Sequence, residues 1–472
     1  MKKPQKILGI ISAILLVFVL TACPAPQPKE EPENLFTLTV LHTNDTHARI
    51  MDFNKHGTTC NDDERGEDKC FGGVARRATE IKRIRAEEPN MLLVDAGDQF
   101  QGTLFYTQYK GKEAKTFMNM LGYDAMTSGN HEFDDGPEIL SEFIKGINFP
   151  FVVSNIDVED EPLLRGLIKP WAITDKGGRK IGIIGLTTED TGTVAKPGPN
   201  VYFDEVEASA QRAVDALAEW GVNIIIALSH NGYNRDMEIA AAVTGIDILV
   251  GGHTHTFLSN THPDAEGPYP TIVESPSGDS VLVVTAKSWG MYLGYLNVKF
   301  NDDGIAEEWS GEPILLDSSI AEDEEVLAEA LKLNEQIEPL TKLVVGRTEV
   351  DLTGDENINR HFESNMGNLI TDAMLWEAKH YGMEIAFYNG GGIRSGIQKG
   401  DITLANVLEV MPFSDTLATL ELTGADIKDL IEYSVSRAED PNNEGTGRFL
   451  HFSGLRFTWD PKAEVGSRVV SI

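Results

Sequence analysis

Residues 222–255, VNIIIALSHNGYNRDMEIAAAVTGIDILVGGHTH, decide the fold. Two apolar runs rich in β-branched residues, VNIIIALSH and IDILVGGH, flank a helical stretch, and both finish on histidine. Short apolar runs without alternation predict strands buried on both faces, as in layered α/β or α+β architecture. The same signature recurs between Leu35 and about Phe300 in LFTLTVLH, MLLVDAGD, FVVSN, KIGIIGL, SVLVVTA and YLGYLNVKF. Several of these strands end on Asp, Asn or His, where open α/β sheets place their sites.

Outward toward the C-terminus, residues 319–343 lack Gly, carry Leu and Ile at helical spacing, and are otherwise charged. They predict a solvent-exposed linker helix. A second α/β unit, 344–472, follows with an amphipathic helix in NMGNLITDAMLWEAKHYG and a strand leading to a Gly-rich turn in EIAFYNGGGIRSG. The sequence ends at Arg468-Val469-Val470-Ser471-Ile472 in what reads as mid-strand, so this last unit is expected to be incomplete.

Toward the N-terminus, Lys2, Lys3 and Lys6 precede an apolar run from Ile7 to Leu20, too short for a comfortable membrane span and readable as a secretory signal. Leu20-Thr21-Ala22-Cys23 resembles a bacterial lipobox, which implies lipidation of Cys23 and anchoring to a bacterial membrane or envelope. The acidic, Pro-rich stretch 24–34 reads as an extended spacer. In an exported chain, Cys60 and Cys70 in a polar segment read as a small local disulfide.

The chain of 472 residues carries a net charge of −34, from 40 Lys plus Arg against 74 Asp plus Glu, and offers no basic run for a nucleic-acid polymer. Three cysteines without a C-x-x-C pair exclude a zinc ribbon and a thioredoxin-like site. P-loop, H-E-x-x-H and G-x-S-x-G motifs are missing as well.

What remains is a histidine and carboxylate constellation at strand ends: Asp45-Thr46-His47, Gly97-Asp98, Gly129-Asn130-His131-Glu132, Ser229-His230-Asn231 and Gly252-His253-Thr254-His255. Asp45 and His47 are two apart, as are His253 and His255; in extended backbone each pair would point to one side and grip one ion. Imidazole plus carboxylate suits Zn, Mn, Fe, Co or Ni, and a carboxylate bridging two ions about 3.5–4 Å apart defines a two-metal hydrolytic site. Asp98 is the natural bridge.

The order D-x-H, G-D, G-N-H-E, H, G-H-x-H resembles the calcineurin-like metallophosphoesterases. SGNHEFDDG, NMGNLI, NGGGIR and MPFSDTL together resemble, more narrowly, the bacterial and ecto-5′-nucleotidase family, which includes UDP-sugar hydrolases and 2′,3′-cyclic-nucleotide phosphodiesterases. The resemblance implies a four-layer αββα domain over 35–318, the linker helix, and a smaller nucleotide-binding α/β domain. It implies two divalent ions, Zn or Mn, one held by Asp45, His47, Asp98 and His255 and the other by Asp98, Asn130, His230 and His253; the family varies at the His255 position. His131 and Asp134 match its catalytic pair. Arg360 and Arg394 match phosphate- or nucleoside-contacting arginines, Asn389 a base-contacting asparagine, and Phe413 one aromatic of a pair that stacks the base; Gly391 and Gly392 belong to the same substrate loop. A small disulfide also occurs in ecto-5′-nucleotidases at the position of Cys60 and Cys70.

The implied activity is release of phosphate from extracellular nucleotides, most simply nucleoside 5′-monophosphates, by a hydroxide that two ions make available near neutral pH. UDP-sugar or cyclic-nucleotide hydrolysis would use the same metals, and a catalytically silent surface nucleotide-binding lipoprotein is the reading from another class. Because the ligands precede residue 256 and the nucleoside contacts follow residue 343, catalysis requires the two domains to meet, with a hinge near the linker helix.

Overall fold

The computed structural model describes residues 35–55, 57–413, 415–438 and 446–472. The residues expected to form a signal, a lipobox at Cys23 and a spacer lie outside the described residues.

Two six-stranded sheets form the N-terminal part. In the first, Ala306–Gly311, Tyr292–Phe300, Phe36–Thr43, Met91–Asp95 and Ala125–Met126 lie side by side, with Ile314–Leu315 added to Tyr292–Phe300. In the second the order is Thr271–Glu274, Ser280–Val284, Ile248–Gly251, Ile225–His230, Arg179–Thr187 and Trp171–Lys176. The central strands of each run parallel, so their C-terminal ends gather at one edge.

The unbroken apolar character of these strands follows from where alternate residues go. Leu38, Val40, Leu92 and Val94 of the first sheet meet Ile183, Ile226, Leu228 and Val250 of the second in one core between the sheets. Their neighbours Leu41 and Leu93 face outward under the helices Val74–Glu87, Lys112–Leu121 and Gly136–Gly146. Ile225, Ala227 and Leu249 likewise pack under Val206–Glu219 and Tyr233–Ala242. Each buried aliphatic side chain contributes about 1.5–3 kcal/mol, and the result is the expected αββα layering.

Two expectations are corrected. FVVSN forms no strand of its own: Phe151 and Val152 make isolated bridges to Met126 and Lys169. The linker helix, Glu324–Lys342, is capped by Asp323 and is docked onto the N-terminal part. Val326, Ala330 and Ile337 are buried in the first core, and Tyr109 Oη donates to the Leu333 carbonyl at 2.6 Å. Its apolar stripe is narrow, but it is covered.

Beyond this helix, Asn365–Ala378 packs on Ala386–Asn389, which pairs with Leu450–Ser453. Leu352, Met366, Ile370, Tyr388 and Ile393 form a smaller core there. Cys60 and Cys70 are joined by a disulfide, with Cα atoms 6.2 Å apart.

Candidate active site

The loops that follow the parallel strands supply the site. Asp45 and His47 follow Phe36–Thr43, Asp98 follows Met91–Asp95, and Asn130 and His131 follow Ala125–Met126. His230 closes Ile225–His230, and His253 and His255 follow Ile248–Gly251. Ligand donors therefore come from both sheets.

The extended backbone expected around the paired donors is not what brings them together. Asp45, His47, Asp98, His253 and His255 all have positive φ, between 47° and 79°, a left-handed conformation that costs a non-glycine residue about 1–3 kcal/mol. Hydrogen bonds between loops hold it in place: Asp45 N donates to Gly97 O at 2.9 Å and His47 N to Asp98 O at 3.0 Å. The loops approach so closely that a Cβ on Gly97 would lie 2.3 Å from Gly129 N. The pairing differs from the one that spacing alone suggests and runs along the division that the resemblance implies: His255 Nε2 lies 3.2 Å from His47 Nε2, whereas His253 Nδ1 lies 3.1 Å from Asn130 Oδ1. The two histidines thus face different donor groups instead of gripping one ion.

Asp98 sits at the centre. Its Oδ1 accepts from His131 N at 2.9 Å, and its Oδ2 lies 3.1 Å from His230 Nε2 and 3.9 Å from both His47 Nε2 and His131 Nε2. Asp45 Oδ1 lies 3.5 Å from His255 Nε2 and 3.9 Å from His230 Nε2. Two groups of donors, Asp45, His47 and His255, and Asp45, Asp98 and His230, each have ligand atoms within 4.8 Å of one another.

The imidazoles are oriented from behind, as metal-ligating histidines are. His47 Nδ1 lies 3.1 Å from Phe100 O, and His230 Nδ1 lies 2.7 Å from Ala96 O. His230 Nε2 is fully buried and faces the two carboxylates, Asp98 Oδ2 and Asp45 Oδ1. An electron-pair donor aimed at buried carboxylates fits a cation between them. The electrostatics agree: burial opposes charge on His230, but Asp98 and Asp45 outweigh it and raise the imidazole to about 10. Burial and the His230 charge lower His253 to about 3. The carboxylates demand positive charge here.

His131 Nδ1 lies 2.7 Å from Asp134 Oδ2, which leaves Nε2 facing Asp98. Burial lowers the His131 pKa, and Asp98 and Asp134 more than offset it, so the net shift is upward. Asp134 does not cap the next helix; Asp135 takes the N-cap position and is held by Tyr106 Oη at 2.7 Å and Lys110 Nζ at 2.8 Å.

Three supporting residues carry no role in the sequence reading. Glu132 is fully buried and accepts from the amides of Asp98, Gln99, Phe100 and Gly129 at 2.6–3.2 Å. Burial and the Asp98 charge push its carboxyl up to about 7 against the pull of those amides. Its signal was its place in Gly129-Asn130-His131-Glu132. Asn44 donates to Asp45 Oδ2 at 2.8 Å and accepts from Ala286 N at 3.0 Å. Glu356, discussed below, gave no local signal.

A cleft of about 1480 Å³ joins these groups to the C-terminal part, and Arg360, Asn389, Gly391, Gly392, Arg394 and Phe413 line it together with Asp98, Asn130, His131, His253 and His255. The two parts meet at the metal-ligand candidates themselves: Arg394, buried, places Nη2 3.2 Å from His47 Nε2. Arg360 Nη2 lies 3.3 Å from Glu356 Oε2. Phe413 stacks on His131, with centroids 5.6 Å apart and planes at 22°, and the Arg394 guanidinium is 5.8 Å from its centroid. Asn389 Nδ2 donates to Gly447 O at 3.2 Å. The glycine turn is tight for internal reasons more than for ligand access: a Cβ on Gly390 would lie 2.0 Å from Asn359 O, and one on Gly392 2.5 Å from Tyr388 Oη.

Residues 38–257 match the family described as calcineurin-like phosphoesterase, and residues 344–472 match the 5′-nucleotidase C-terminal domain. The chain is 44% identical over 459 residues to a snake venom 5′-nucleotidase from Naja atra, covering 93% of this chain and 84% of that one. It is 40% identical to a 5′-nucleotidase from Homo sapiens, over 92% of this chain and 77% of that one. Among solved structures it is similar to a 5′-nucleotidase precursor from Thermus thermophilus, with a TM-score of 0.87 and 44% identity, covering 92% of this chain and 84% of that one.

Proposed function

The chain belongs to the 5′-nucleotidase family and is a metal-dependent nucleotide phosphohydrolase of that type, and from that premise we propose that it releases phosphate from nucleoside 5′-monophosphates outside the cell. The observation that carries this reading is the convergence of Asp45, His47, Asp98, His230 and His255, with Asn130 against His253, beside a cleft that Arg394 and Arg360 also line. These residues would hold two divalent ions, for which their imidazole and carboxylate donors suit Zn or Mn. When bound, the ions supply Lewis acidity toward the phosphoryl oxygens and lower the pKa of water toward neutrality.

The protein's own groups do the rest. Arg394 and Arg360 neutralise and orient the phosphate, a planar fork being suited to bidentate contact. His131, held by Asp134, presents Nε2 to the reacting phosphoryl group, where an imidazole charged by a carboxylate stabilises developing negative charge or protonates the leaving oxygen. Phe413, with one ring face on His131 and Asn389 on the same cleft, supports a nucleoside lying away from the ions; stacking of a base is worth about 1–3 kcal/mol. Lys2 to Cys23 supports export with a lipid anchor at Cys23.

The experiment is phosphate release from AMP, UDP-glucose and 2′,3′-cyclic AMP after chelator treatment, with Mn or Zn restored. Activity should vanish on chelation, return with metal and be highest on AMP; metal-independent release, or preference for another ester, would overturn the assignment. Arg394→Ala should raise KM for AMP about 10–100-fold, matching the loss of hydrogen bonds to a charged group of about 1.5–3 kcal/mol. An unchanged KM would remove Arg394 from the phosphate site.

A further inference from the structure

We propose that Glu356 is a positioning residue for His255, reaching from the C-terminal domain to set the affinity of one of the two metal ions. The proposal rests on the two-metal reading above. His47 and His230 donate their rear hydrogen bonds to backbone carbonyls of their own domain, Phe100 O and Ala96 O. His255 takes its rear partner from across the cleft: Nδ1 lies 3.2 Å from Glu356 Oε2, while Nε2 faces His47 Nε2 at 3.2 Å and Asp45 Oδ1 at 3.5 Å.

A carboxylate on the rear nitrogen holds the proton on Nδ1, leaves the Nε2 lone pair facing the donors, and raises its basicity. The contact is shielded, with side-chain exposures of 11% for His255 and 23% for Glu356. It is therefore not the kind of exposed pair that contributes little. Glu356 opens the short helix Glu356–Asn359, which Asp355 caps, and its carboxylate also meets Arg360 Nη2 at 3.3 Å. One side chain thus joins a phosphate-site arginine to a metal-ligand histidine. Ion affinity at that position then depends on the C-terminal domain being seated, and by linkage the ion favours the seated arrangement.

The test uses the full chain, metal-stripped and titrated with Zn against a chromogenic chelator. Wild type should bind two ions; failure to do so would count against the two-metal reading and not against Glu356. Glu356→Ala should weaken one ion about 10–100-fold and leave the other unchanged, and Glu356→Gln, which keeps a neutral acceptor, should fall between. The metal-free variants should melt with metal-free wild type. In a His255→Asn background Glu356→Ala should cause no further loss, since the effect runs through the imidazole. Wild-type affinity for both ions in Glu356→Gln, or additive losses in the double variant, would overturn the proposal.

Discussion

Replacing His131 with alanine should lower kcat for AMP about 10²–10⁴-fold, the range general acid–base groups contribute, with both ions still bound. The expectation follows from how the ring is held. Asp134 fixes Nδ1 at 2.7 Å, and Phe413 stacks on the ring face, so Nε2 has one direction left, toward Asp98 and the cleft. At 3.9 Å from Asp98 Oδ2 it lies at the border of the donor cluster, close enough to Asp98 and His47 to be counted with them on distance alone. Metal content therefore decides its role. Two ions per chain with the rate reduced identifies a group that acts on the substrate. Loss of one ion would move His131 into the ligand set, and an unchanged rate would remove it from the chemistry. Asp134→Asn should have a smaller effect in the same direction, because the ring keeps a hydrogen-bond partner and loses the charge that favours its protonated form.

What the sequence made legible was chemistry attached to strand ends. Most donors follow an apolar run that reads as a buried strand, and parallel strands deliver their ends to one edge, so order along the chain translated into proximity; Asn130 and His131 follow only the two-residue strand Ala125–Met126, which the apolar pattern did not mark. Conformation was not legible. Asp45, His47, His253 and His255 converge through left-handed backbone, which for Asp45 and His47 is held by the carbonyls of Gly97 and Asp98 in a neighbouring loop and not by local spacing. That is why the i, i+2 argument paired His253 with His255, whereas the two face different donor groups. The linker helix was misjudged for a related reason: Val326, Ala330 and Ile337 mark a stripe, but nothing local says that helices Val74–Glu87 and Leu404–Val410 will cover it. Glu356 was invisible because its partner His255 lies far earlier in the chain, in the other domain.

Glu132 offers the sharpest test of the support beneath the ions. Glutamine is nearly isosteric, so Glu132→Gln leaves packing intact and changes only hydrogen bonding. The native carboxylate accepts from four amides, Asp98, Gln99, Phe100 and Gly129. A side-chain amide keeps one acceptor oxygen and turns N–H groups toward amides that also donate. At least two buried donors lose their partner, at about 1–3 kcal/mol each. The melting temperature should fall on the order of 10 °C. Zn affinity should fall as well, because the released amides belong to the loops that carry Asp98 and Asn130. Glu113 supplies the contrast: it is also buried, but burial pushes its carboxyl up to about 8. Its oxygens do not clamp the loops that carry the donors, so Glu113→Gln should change the melting temperature far less. Equal melting of Glu132→Gln and wild type would show that the loops beneath the donors are held by their mutual backbone bonds, and that the carboxylate clamp is dispensable.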